Sequence, residues 1–183
     1  MATHVIIDML YDFIDGSLAC TNGEDAAKIS VGHINANPDQ RVLYVCDCHP
    51  QNHCSFKENG GIWPVHCVKG TRGGSIHQAY NSIELEENRP SGRNTFYKGC
   101  DPAKEEYSGY NAALESGEKI YELADKSVIV SGIATEYCVK ESVMDLLKNG
   151  FEVTIIKDAL AYVDYQGHLD TIALLEKEGV KFI

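Results

Sequence analysis

Val128-Ile129-Val130-Ser131-Gly132-Ile133-Ala134-Thr135-Glu136-Tyr137-Cys138-Val139 is the stretch from which the fold of this chain can be read. Val128 to Val130 form a short β-branched apolar run, the pattern of a buried strand. Gly132 permits a tight turn, Thr135 is placed to cap a following helix, and Cys138 falls in that helix's first turn. There the thiol meets exposed N–H groups and the positive end of the helix dipole, so the spacing predicts a Cys138 more acidic than a free cysteine. The plainer reading is an inert core thiol, the commoner state of an isolated cysteine.

Outward from that turn, the same alternation repeats. Strands are predicted at Val5 to Ile7, Arg41 to Cys46, Asn94 to Tyr97, Glu152 to Ile156 and Val180 to Ile183. Helices are predicted over Glu24 to Ile34, Ile76 to Glu87, Tyr110 to Leu123, Glu136 to Asn149 and Gln166 to Glu178. Asp12 to Gly23 is a polar connection, and Cys48 to Ser75 lacks either period, as a functional loop does. Strand and helix in turn imply one doubly wound, Rossmann-like α/β domain over residues 1–183, with a mainly parallel sheet flanked by helices.

A chain of 183 residues suits a single core. The formal net charge of -11 argues against nucleic acid or an anionic membrane surface as partner and favours a small neutral or cationic ligand. Seven scattered cysteines, an odd number, do not suggest a disulfide framework. No apolar run approaches the ~20 residues of a spanning helix, and Met1-Ala2-Thr3-His4 has no basic targeting region, so the expected location is cytoplasmic.

In such sheets ligands bind beyond the carboxyl ends of the strands, where strand order reverses. Asp8, Asp47, Lys98 and Cys138 each follow a strand, and a 3-2-1-4-5 order brings Asp8 beside Cys138. A buried aspartate can serve as base for a cysteine nucleophile, and Lys98 can hold both. The backbone N–H groups of Ala134 and Cys138 are candidates for an oxyanion hole. Taken singly, Asp8 reads equally as a cap and Lys98 as a turn residue.

Asp47 and His49, two apart at a strand end, point to one side, and His66 can return from the loop to complete three ligands. That mixed set with open positions suits one divalent ion, Zn, Fe or Mn. His53 or Glu58 could add a ligand, although His53 and His4 read by default as loop and surface histidines. Cys46, Cys48, Cys54 and Cys67 form a rival thiolate set, weakened by the short Cys-x-Cys spacing. Phe13, Trp63 and Tyr107 lie in loops and could sandwich a flat aromatic ligand.

Asp8-Met9-Leu10-Tyr11-Asp12-Phe13, Asp47-Cys48-His49-Pro50, Gly61-Ile62-Trp63-Pro64-Val65-His66-Cys67, Tyr97-Lys98-Gly99 and Gly132-Ile133-Ala134-Thr135-Glu136-Tyr137-Cys138-Val139 together resemble the nicotinamidases of the isochorismatase-like cysteine hydrolase superfamily. The resemblance covers nearly the whole chain in order. It implies hydrolysis of nicotinamide, and of pyrazinamide as well, to the acid and ammonia in NAD salvage. It implies Asp8, Lys98 and Cys138 as the catalytic set, a Cys138 thioester, and a metal on Asp47, His49 and His66 that orients the pyridine ring. Phe13, Trp63, Tyr107 and Ile133 become the expected substrate contacts, the Ile133–Ala134 bond is expected to be cis, and a homo-oligomer is compatible. The chain departs from the pattern at Leu10-Tyr11, where Gln-Asn is usual, and at Cys48, where an aromatic is common. A relative acting on a carbamoyl or ureido group without metal, or a metal-binding scaffold without turnover, are the alternatives.

Overall fold

The computed structural model describes residues 2–183. Six strands, β1 (Thr3–Ile7), β2 (Arg41–Asp47), β3 (Thr95–Lys98), β4 (Ser127–Gly132), β5 (Glu152–Leu160) and β6 (Lys181–Phe182), form one sheet in the order β3-β2-β1-β4-β5-β6. Every neighbouring pair is parallel. β1 and β4, which meet where the order reverses, pair from Thr3↔Val128 to Ile7↔Gly132.

Alternation along the strands builds two cores. Val5, Ile7, Leu43, Val45, Val128 and Val130 face one side with α4 (Lys140–Lys148) and α5 (Tyr165–Lys177), which add Val143, Leu146 and Leu175. Ile6, Val42, Tyr44 and Cys46 face the other with α1 (Tyr11–Ile14) and α2 (Gly23–Ala36), which add Phe13, Ile14, Ala27, Val31 and Ile34. Burial on both faces is why these strands read as continuous apolar runs.

Two expected helices are not formed. Over Ile76 to Glu87 the chain makes two short 3₁₀ turns, Gln78–Ser82 and Glu86–Asn88. His77 Nδ1 accepts the Ala79 N–H, and Ser82 Oγ donates to the Ala79 carbonyl at 2.7 Å, so local side-chain bonds compete with the helical ladder. Over Tyr110 to Leu123 only α3 (Ile120–Leu123) is helical. Ala113 instead exchanges two backbone bonds with Tyr97, at 2.8 and 3.1 Å, and so covers the outer edge of β3. The connection after β1, by contrast, contains the short helix α1.

Candidate active site

β4 ends at Gly132, where φ is +154° and an added Cβ would lie 2.4 Å from the Ile7 carbonyl oxygen, so only glycine lets β1 and β4 close together here. The Ile133–Ala134 bond is cis. One π-helical turn, Thr135–Val139, carries Cys138 and leads into α4; such turns concentrate at functional sites. Thr135 is not the cap. Its N–H and hydroxyl both donate to the Ala161 carbonyl, at 2.9 and 3.0 Å, tying the turn to the end of β5. The amides of Ile133, Thr135, Tyr137 and Val139 donate to carbonyls of Ile7, Ala161 and Ala134, while that of Ala134 takes no part in these bonds.

Asp8 follows β1 with φ +50°, a left-handed conformation that non-glycine residues adopt mainly under tertiary constraint. Its N–H donates to the Val45 carbonyl, and its Oδ1 accepts the Asp47 N–H at 2.9 Å. Lys98 Nζ lies 2.9 Å from Asp8 Oδ2 and 3.4 Å from Cys138 Sγ, and it also pairs with Asp47 Oδ1. All four residues are buried.

The electrostatics assign the protons. Burial, and then the neighbouring charge of Asp47, push Asp8 up to about 6 against the pull of Lys98. Burial alone would raise Asp47 too, but Lys98 and His49 outweigh it and hold that carboxyl well below the usual range. The two carboxylates hold the buried Lys98 ammonium well above its ordinary value. Burial raises the Cys138 thiol, and the attraction of Lys98 does not offset it against Asp8 and Asp47. Contrary to the expectation from the helix terminus, Cys138 is less acidic than a free cysteine, and it needs a base.

Asp47, His49 and His66 each offer a ligand atom within 4.8 Å of the others. His49 Nδ1 lies 2.8 Å from the Gly99 carbonyl and His66 Nδ1 2.7 Å from that of Pro64. A carbonyl only accepts, so both Nδ1 atoms carry hydrogen and each Nε2 keeps its lone pair, the tautomer of a metal ligand. His49 Nε2 faces Asp47 Oδ2 at 3.4 Å, two acceptors opposed unless a proton or cation lies between them. These residues therefore fit a divalent ion.

Neither additional ligand is in place. His53 is fully buried, not a loop-surface residue, with its ring nitrogens on Ser55 Oγ and the Lys104 carbonyl at 2.7 and 3.0 Å; Glu58 is exposed on a separate 3₁₀ turn. The four-thiolate alternative is not assembled either. Among the described residues no such metal-sized group of cysteines forms, and Cys46 and Cys67 pack in the apolar core.

Phe13, Trp63, Tyr107, Asp47, His66, Ala134 and Cys138 line one cavity. Trp63 Nε1 donates to the Tyr107 hydroxyl at 3.0 Å, and both rings pack on Tyr137, so the aromatic wall is braced. Ile133 is not part of that lining; it is fully buried in the core beneath. Sequence reasoning missed Tyr137, Leu18, Cys20, Val163 and Glu105, which also face the cavity. Only the position of Tyr137, beside the nucleophile, offered a signal. It missed Asp12 as well, whose carboxylate accepts the Cys67 N–H at 2.8 Å and steadies the loop that delivers His66.

The sequence profile of the isochorismatase domain matches residues 2–183. A nicotinamidase/pyrazinamidase of Mycobacterium tuberculosis is 30% identical over 97% of this chain and 94% of its own. The pyrazinamidase of Pyrococcus horikoshii in complex with zinc superposes with a TM-score of 0.84 at 30% identity, covering 100% of this chain and 99% of that one. PnC1 from L. infantum in complex with nicotinate gives 0.80 at 31%, covering 100% and 92%. The shared profile, the parallel sheet and these relatives agree: this chain belongs to the isochorismatase domain family, within its nicotinamidase/pyrazinamidase group.

Proposed function

We propose that this chain hydrolyses nicotinamide to nicotinate and ammonia, in NAD salvage, through a Cys138 thioester, and accepts pyrazinamide in the same pocket. The observation that carries this reading is the meeting of two sets, Asp8, Lys98 and Cys138 with Asp47, His49 and His66, beside one cavity that Cys138, Asp47 and His66 line. The name of the mycobacterial relative and the nicotinate complex of the L. infantum protein support the same substrate class.

Asp8 takes the Cys138 proton as sulfur attacks the amide carbon, a role that suits a carboxyl at about 6. Lys98 balances the negative charge passing between them. The Ala134 and Cys138 amides receive the charge that develops on the amide oxygen. Asp8 then returns its proton to the departing ammonia and draws one from the water that cleaves the thioester. Trp63, Phe13 and Tyr107 flank the ring. Asp47, His49 and His66 would hold a divalent ion, with zinc the leading choice, which would supply Lewis acidity toward the ring nitrogen.

The test is ammonia release from nicotinamide by the zinc-loaded wild type and by Cys138→Ala. Release by the wild type alone is expected; no release by the wild type would overturn the proposal. Zinc binding that depends on Asp47 and His66 separates this reading from a metal-free carbamoyl amidohydrolase.

A further inference from the structure

The departure at Cys48 has a partner. Cys48 follows Asp47 at the end of β2, and its N–H donates to the Lys98 carbonyl at 2.9 Å, which keeps the chain beside the end of β3. Two residues past Lys98, Cys100 turns back over the same carbonyl, with Sγ 3.8 Å from the oxygen. Both residues thus gather at the Lys98 carbonyl, Cys48 buried and Cys100 exposed, and both line the groove that runs along β3, away from the substrate cavity. No two of the seven cysteines are bonded to each other.

Gly99 lies directly before Cys100. Its φ is +65°, its carbonyl anchors His49 Nδ1, and an added Cβ would lie 2.5 Å from the His49 ring. The turn has no slack on the His49 side. A covalent link from Cys48 to Cys100 would tie the residue between Asp47 and His49 to the residue after Gly99, whose carbonyl orients His49.

We propose that Cys48 and Cys100 form an oxidation site, a dithiol that hydrogen peroxide converts to a disulfide, and that this disulfide loosens the Asp47–His49–His66 set. The exposed Cys100 sulfur attacks peroxide, breaking the O–O bond to give a sulfenic acid and one water. The Cys48 sulfur then displaces the hydroxyl, which leaves as a second water with the Cys48 proton. Two thiols lose two electrons and one peroxide becomes two waters. The dithiol stands independently of the reaction proposed above; only its effect on metal and substrate binding rests on that reading.

The experiment uses Cys138→Ala protein, so that the nucleophile cannot be oxidised, and the same protein carrying Cys100→Ser. Each is treated with one equivalent of hydrogen peroxide, alkylated, digested and mapped by mass spectrometry, and its zinc affinity is measured by competition with a chromogenic chelator. The expected result is a Cys48–Cys100 linked peptide, about a tenfold loss of zinc affinity, and recovery of both thiols and affinity with dithiothreitol. The Cys100→Ser protein should show neither change, and in the wild-type background Cys100→Ser should leave nicotinamide turnover within about twofold. Peroxide that leaves Cys48 and Cys100 alkylatable overturns the site; a disulfide with unchanged zinc affinity overturns the coupling. If wild-type protein releases no ammonia, the proposed reaction falls, while the peptide map and zinc titration still decide this inference.

Discussion

Cys138 is buried against Asp8, Asp47 and Lys98, and burial holds its proton on sulfur; in the reaction proposed above Asp8 removes it. Asp8 must be ionised to do so. Its carboxyl, raised to about 6, is charged above that value and neutral below it, so activity is expected to fall as pH drops through about 6. The kcat/KM profile for nicotinamide should therefore lose about tenfold per unit on its acid limb. A profile flat down to pH 4.5 would remove Asp8 as the base. Cys138→Ala should lower kcat by at least about 10³-fold and leave zinc binding intact, measured by ammonia release and metal content. Asp8, Lys98 and Cys138 were legible only together, from their shared placement at or just beyond strand ends; taken singly each reads as a structural residue. The state of the thiol was not legible, because it depends on three charges brought together from separate strands.

At the scale of the element, the turn Lys98–Gly99–Cys100 and the loop from Cys48 to Ser75 hold the imidazoles from opposite sides. Gly99→Ala places a methyl 2.5 Å from the His49 ring at a φ that disfavours it. The expected outcome is at least a tenfold loss of zinc affinity with a raised KM, read by competition titration and steady-state kinetics. Chelation of the wild type should likewise raise KM more than it lowers kcat if, as proposed, a bound ion holds the ring; unaltered kinetics after complete metal removal would take it out of the mechanism. Both failed helix expectations lie between β2 and β4, where local bonds at His77 and Ser82 and edge pairing at Ala113 outweigh helical periodicity. The strands were legible because burial on both faces leaves an apolar run that needs no context.

At the scale of the whole molecule, the sheet has a buried polar seam. His4, expected at the surface, is fully buried on β1, with Nε2 2.9 Å from Ser131 Oγ on β4, which in turn meets Ser30 Oγ on α2 at 2.9 Å. Burial, and then His33, push His4 down to about 3 from its ordinary 6.5. The unfolded chain thus binds a proton that the folded one refuses. Stability from His4 is fully present above pH 6.5 and is lost as pH falls from there toward 3. Urea unfolding should show roughly 2 kcal/mol more loss between pH 6.5 and 5 in wild type than in His4→Gln; equal losses would mean His4 is not the group.

The sequence by itself determined the strands, their likeness to a doubly wound sheet, and the residues at its carboxyl edge, because apolar periodicity and strand-end position are local properties. Only the tertiary structure decided which groups come together: Cys48 and Cys100 at the Lys98 carbonyl, the wall formed by Tyr137 and Glu105, the burial of His4 and His53, and the proton on Cys138. Those depend on the solvent excluded and the charges gathered when distant segments pack. For the turn at Cys138, position in the chain pointed to a candidate nucleophile, and burial beside Asp8 and Lys98 sets the state of its thiol.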